Sequence, residues 1–185
     1  MLKRFTKLLV LGTIVSAPLT TAYAGSFYVG AALPYLVINS GSASNQGFNP
    51  RLTFGYGALL TNWFYLSGEV FGGPFYLQTY NNDEPLKGNL RVTYSYGASL
   101  LPGVNFDGAL VMYLRLGAIG TRFNQTGSNK VSWQGGIGLE DRISPEWSIR
   151  GEFDRTSYGS VGAYNSVTSS EYAIAFNYHF GQTGD

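Results

Sequence analysis

Glu171-Tyr172-Ala173-Ile174-Ala175-Phe176-Asn177-Tyr178-His179-Phe180, near the end of the 185-residue chain, makes every second side chain from Tyr172 to Phe180 large and apolar or aromatic. The residues between them, Ala173, Ala175, Asn177 and His179, are small or polar. Successive Cβ atoms of a β-strand point to opposite sides, so strict period-two alternation marks a strand whose faces meet two environments.

Seven earlier segments carry the same pattern, at about Ser26–Ile38, Arg51–Leu59, Trp63–Gly72, Asn89–Leu101, Ala109–Phe123, Val131–Arg142 and Trp147–Arg155. The fourth is the clearest. Leu90, Val92, Tyr94, Tyr96, Ala98 and Leu100 alternate with Arg91, Thr93, Ser95, Gly97 and Ser99. The connections also alternate. Asn39–Asn49, Gly73–Gly88, Asn124–Lys130 and Thr156–Ser170 are long and polar, whereas Leu60-Thr61-Asn62, Pro102–Gly108 and Ser144-Pro145-Glu146 are short. Long connections at one end and tight turns at the other characterise transmembrane barrels, and strands of about 9–11 residues suit a tilted crossing.

The first 24 residues predict a cleaved signal peptide: Lys3, Arg4 and Lys7 precede a short apolar run from Leu8 to Ala17, and Ala22-Tyr23-Ala24 is a small-x-small site. The expected division is 1–24 signal peptide, 25–180 barrel and 181–185 short periplasmic tail. Loss of those three cations takes the formal charge from +1 to −2, a balance that implies no nucleic-acid partner. No cysteine is present, so disulfides and thiol chemistry are excluded. Aromatic residues at 16% and charged residues at 12% contrast with the roughly 25% charge of a soluble domain.

Which face holds the charges decides where the lipid lies. Arg51, Glu69, Arg91, Arg115, Glu140, Arg150, Glu152 and Asp154 all fall opposite the large apolar side chains. A cation on the lipid face at mid-bilayer costs roughly 2–4 kcal/mol. An eight-stranded interior is only just wide enough for side chains, so it cannot take the many Phe, Tyr, Leu and Trp residues instead. The pattern therefore predicts an all-β, eight-stranded antiparallel up-and-down transmembrane β-barrel with charges inside. Phe27, Trp63, Trp147, Tyr178 and Phe180 would form the lower aromatic girdle; Phe75, Phe123 and Tyr172 would form the upper.

Phe27-Tyr28-Val29-Gly30-Ala31, Tyr113-Leu114-Arg115-Leu116-Gly117, Gly136-Ile137-Gly138-Leu139-Glu140, Ser144-Pro145-Glu146-Trp147-Ser148-Ile149-Arg150 and the closing strand together resemble the OmpA/OmpX-like family of small outer-membrane barrels. The resemblance spans the whole chain after the leader, through short and loose motifs. It implies the bacterial outer membrane, with both termini periplasmic and outer-membrane lipids and lipopolysaccharide as surroundings. It also implies insertion by the barrel-assembly machinery, with Tyr178 and Phe180 as the assembly signal. The family usually ends on its final Phe, whereas Gly181 to Asp185 follow Phe180 here. One fold hosts many functions, so no single activity is implied.

The sharpest constellation is the lumen charge cluster: Glu69, Arg115 and Glu152 at one depth, Glu140, Arg150, Arg142 and His179 below, Arg91 and Asp154 above. Charges so buried must pair. They form either a gate whose partners exchange or a static ionic plug; the plug is preferred. His179, the only histidine, is expected as a lumen polar residue, since a lipid A-modifying site would need it beside a serine facing lipid. Neither catalytic residues nor metal or cofactor sites are expected. Phe75, Tyr76 and Tyr80 in the second loop, with Tyr158 and Tyr164 in the fourth, either extend the upper girdle or anchor a host or surface ligand. The resulting expectation is a monomeric, non-enzymatic barrel serving envelope integrity or adhesion-type surface interaction through four long extracellular loops. The alternatives are a narrow channel gated at Glu69, Arg115 and Glu152, and a lipid A-modifying enzyme.

Overall fold

The computed structural model describes residues 23–41, 43–73, 92–106, 109–123, 129–162 and 164–181. The expected leader up to residue 22 lies outside them, as do Phe75, Tyr76, Tyr80 and Arg91 and the last four residues. Among the described residues nine strands are formed: β1 (Tyr23–Ser40), β2 (Ala43–Phe48), β3 (Arg51–Leu59), β4 (Phe64–Gly73), β5 (Val92–Phe106), β6 (Leu110–Phe123), β7 (Asn129–Arg142), β8 (Trp147–Val161) and β9 (Tyr164–His179).

All pairings are antiparallel, and β9 pairs with β1 to close the sheet into a barrel. β2 and β3 run down the same edge of β1 without a change of register: Tyr35 lies opposite Phe48 and Ala32 opposite Arg51. The break between them falls at Asn49-Pro50. Proline has no N–H for the ladder, and the Asn49 N–H reaches the Pro34 carbonyl at 2.8 Å. Eight staves thus make up the wall, one of them interrupted.

Following paired residues round the wall from Tyr28 passes Gly55, Glu69, Ser99, Gly117, Gln134, Thr156 and Ser169, and returns to β1 at Ile38. That shift of ten residues over eight staves tilts the strands by about 40°, at roughly 3.3 Å per residue and 4.8 Å between strands. The orientation inferred from sequence holds: Phe27, Leu52, Val70, Leu100, Leu114, Ile137 and Ile174 are exposed on the outside, and Arg51, Glu69, Arg115, Glu140, Arg150, Glu152 and Asp154 are buried within.

Three features depart from the sequence expectation. Two of the four long loops are strand instead: β1 and β2 are joined through Gly41 and residue 42, and β8 and β9 through Gly162 and residue 163. Gly41 and Gly162 have positive φ, which glycine adopts without a Cβ clash, so Ser- and Asn-rich stretches close as tall hairpins. The Ser40 hydroxyl donates to the Asn165 carbonyl at 3.1 Å and ties the two together. Secondly, β5 continues through Pro102-Gly103 to Phe106, because Pro102 keeps its pairing with β4 while the ladder to β6 skips it. Thirdly, a register shift between Val92 and Tyr94 turns Val92 inward.

Candidate functional site: the charged lumen

Inward positions on six staves bring the charges together at mid-height. Arg115 (β6) reaches Glu69 (β4) and Glu152 (β8), each at 2.5 Å. Arg150 (β8) holds Glu69 and Glu140 (β7), each at 2.8 Å, and lies 3.6 Å from Glu152. Arg51 (β3) holds Glu171 (β9) at 2.6 Å and Glu152 at 3.0 Å. Glu152 is therefore shared by all three guanidinium groups. Asp154, by contrast, has only long contacts, 3.4 Å to Arg115 and 3.9 Å to Arg51, and neither of its oxygens accepts a hydrogen bond.

Aromatic side chains complete this layer. The Tyr28 hydroxyl donates to Glu69 at 2.9 Å and that of Tyr113 to Glu152 at 2.5 Å. Arg150 lies over both rings, and Arg51 and Arg115 lie over Phe71, at 5.0–5.5 Å from the ring centres. Inward glycines make room: a Cβ on Gly55 would meet the Tyr28 ring at 2.4 Å, and one on Gly138 the Tyr113 ring at 2.3 Å.

Below, the His179 ring lies between Ser26, 3.2 Å from Nδ1, and Ser148, 3.0 Å from Nε2, with Glu140 3.2 Å from Nε2. All four residues are buried inside the wall. The sequence expectation for His179, a lumen polar residue, matches this placement. Tyr65, Leu101, Val111 and Tyr113 pack as an apolar cluster at this end.

Above the ions, the lumen changes character. Leu36, Ile38, Phe123, Tyr158, Val161 and Val167 pack into a buried apolar cluster. Two expectations are corrected here. Tyr158 is not a loop residue open to a surface ligand: it sits on β8, points inward, hydrogen-bonds Thr121 at 3.1 Å and meets Phe123 edge-on. Phe123 is fully buried in the same cluster and belongs to no girdle. Tyr164 begins β9.

Of the cluster named from sequence, Glu69, Arg115, Glu140, Arg150, Glu152 and Asp154 share this network. Arg51, Glu171, Tyr28 and Tyr113 belong to it as well. Glu171 was legible in principle, being in phase with Ala173, Ala175, Asn177 and His179 on β9. Tyr178 meets both Trp147 and Phe180 edge-on at the lower rim, and the Phe180 N–H donates to the Phe27 carbonyl at 2.8 Å across the closing seam.

Arranged in this way, the inward charges of the described strands are paired with one another, and an apolar cluster packs above them. The chain matches the family described as "Outer membrane protein beta-barrel domain" over residues 7–180. No curated protein matches it. Among solved structures it is similar to Neisserial surface protein A (NspA), at 21% identity and a TM-score of 0.61, covering 85% of this chain and 100% of that one. It is also similar to Ail, the attachment invasion locus protein of Yersinia pestis in complex with the heparin analogue sucrose octasulfate, at 14% identity and a TM-score of 0.55, with the same coverage. At these identities the likeness is one of fold. The chain belongs to the outer-membrane β-barrel family and so to the bacterial outer membrane.

Proposed function

We propose that this protein is a non-enzymatic barrel that serves envelope integrity and surface contact through its outer wall and raised hairpins, with a lumen that conducts nothing. The observation that carries this is the stacking of two fillings in one bore. Five carboxylates and three guanidinium groups are buried in the ionic layer, and an apolar cluster packs in the bore above them. An ion crossing that plug would lose its hydration without gaining ligands, a cost of several kcal/mol or more.

The termini support one orientation. The start of β1 and the end of β9 meet at the end with the short turns, which in transmembrane barrels faces the periplasm. The β1–β2 and β8–β9 hairpins then rise outside the cell. They carry exposed Ser, Asn and Gly residues, a surface suited to contact with surrounding glycans or a host ligand, as the heparin analogue occupies Ail. Insertion by the barrel-assembly machinery through Tyr178 and Phe180, and a monomeric state, belong to the same proposal. Planar-bilayer recording of the purified barrel tests it. A silent bilayer is expected, whereas unitary currents abolished by Glu69→Ala would restore the channel reading.

A further inference from the structure

Among the described strand residues, the outward face carries three charged side chains: Arg122 on β6, Arg155 on β8 and Asp141 on β7. The two arginines lie towards the hairpin end and the aspartate at the opposite rim. Everything outward between those levels is uncharged. Arg122 is level with Asn129 of β7 and Arg155 with Gly135, six residues further down that strand. Strand tilt reduces the separation to roughly 9 Å in height.

The wall between the arginines has an unusual surface. Trp133 and Val131 of β7 are 83% and 74% exposed, the most open of the large apolar side chains among the described residues. Gly135 has no neighbour within 4 Å of where a Cβ would stand. It leaves a shallow apolar hollow between Leu116 and Arg155, with Trp133 above. Arg122 is held in place: its guanidinium lies 5.9 Å over the Tyr94 ring, and the Tyr94 hydroxyl donates to Asn129 at 3.3 Å. An arginine fork matches phosphate oxygens in charge and geometry, and a Trp and a bare glycine beside it suit an acyl chain.

We propose that this face of β6–β8 binds a phosphorylated, multiply acylated glycolipid of the outer leaflet, with Arg122 and Arg155 on its phosphates and a chain lying over Gly135. Charge complementarity carries the choice of occupant, since among the described strand residues the outward cations stand only towards the rim where that anionic lipid would be. The inference rests on the orientation given under the proposed function.

The test is native mass spectrometry of the full barrel in detergent, with bis-phosphorylated lipid A, the same lipid dephosphorylated, and phosphatidylglycerol as probes. The first should bind at least tenfold more tightly than either of the others. The double variant Arg122→Ala/Arg155→Ala should lose that advantage while its gel mobility still shifts on heating. Equal binding of the dephosphorylated lipid, equal binding of phosphatidylglycerol, or an unchanged double variant would each overturn the site. Orientation is tested separately by labelling Ser160→Cys on intact cells with an impermeant maleimide. Labelling is expected. If it fails, the orientation and the proposal fall together; if it succeeds without lipid discrimination, the site alone falls.

Discussion

Replacing Glu152 with Gln removes one charge from the centre of the ionic layer at almost constant volume. Glu152 is the carboxylate in contact with all three arginines, at 2.5 Å from Arg115, 3.0 Å from Arg51 and 3.6 Å from Arg150, and it also accepts from Tyr113. Breaking a buried pair by removing one partner costs about 3–5 kcal/mol. Each arginine keeps another carboxylate here: Arg115 has Glu69, Arg51 has Glu171, and Arg150 has Glu69 and Glu140. The lower end applies, so Glu152→Gln should cost about 3 kcal/mol, more than a hundredfold in the folding equilibrium. Asp154→Asn is the internal control. That carboxylate has no hydrogen bond and only two long ionic contacts, so its loss should cost under about 1 kcal/mol or even stabilise. Urea unfolding of both variants in lipid vesicles, followed by tryptophan emission, gives the two differences. A cost below about 1 kcal/mol for Glu152→Gln, or an equal cost for Asp154→Asn, would refute the claim that specific pairing holds the layer together.

Leu114→Arg places a cation on the lipid face near mid-height and should lower folding stability in vesicles by roughly 2–4 kcal/mol, read from the same unfolding curves. Gly138→Ala drives a methyl into the Tyr113 ring; a loss of about 1–3 kcal/mol is expected from overpacking, and an unchanged urea midpoint would contradict the packing described. Tyr158→Ala opens the apolar plug and removes the bond to Thr121. It should cost on the order of 3–5 kcal/mol and, alone among these variants, give measurable ion leakage in liposome flux assays.

The outer face was legible in the residues because lipid tolerates few exceptions. Leu114, Ile137 and Phe176 lie where period-two alternation puts them. The upper lumen was not legible, since its filling breaks the equation of inward with polar. Leu36, Ile38, Val161 and Val167 are apolar and inward; Leu36 and Ile38 end the first expected strand, whereas Val161 and Val167, among Ser, Asn and Gly neighbours, looked like loop. Two glycines able to take positive φ, Gly41 and Gly162, turned apparent loops into hairpins, and composition does not distinguish the two. Val92 misled because one bulge flips every residue beyond it, and no single strand shows where its partner slips. Glu171 and Arg51 sat on the right face, but which charges meet depends on the shear of the closed wall, a property of all eight staves at once.

A nitroxide scan along β6 from Leu110 to Ala118, with the barrel in vesicles, tests the central claim most directly. Labels at Met112, Leu114 and Leu116 should collide freely with oxygen dissolved in the bilayer and be shielded from an aqueous nickel chelate, while labels at Val111 and Gly117 should meet neither quencher. Oxygen collision should therefore oscillate with period two. Chelate access at Met112, Leu114 and Leu116, or a scan with no oscillation, would contradict a wall that is greasy outside and charged within.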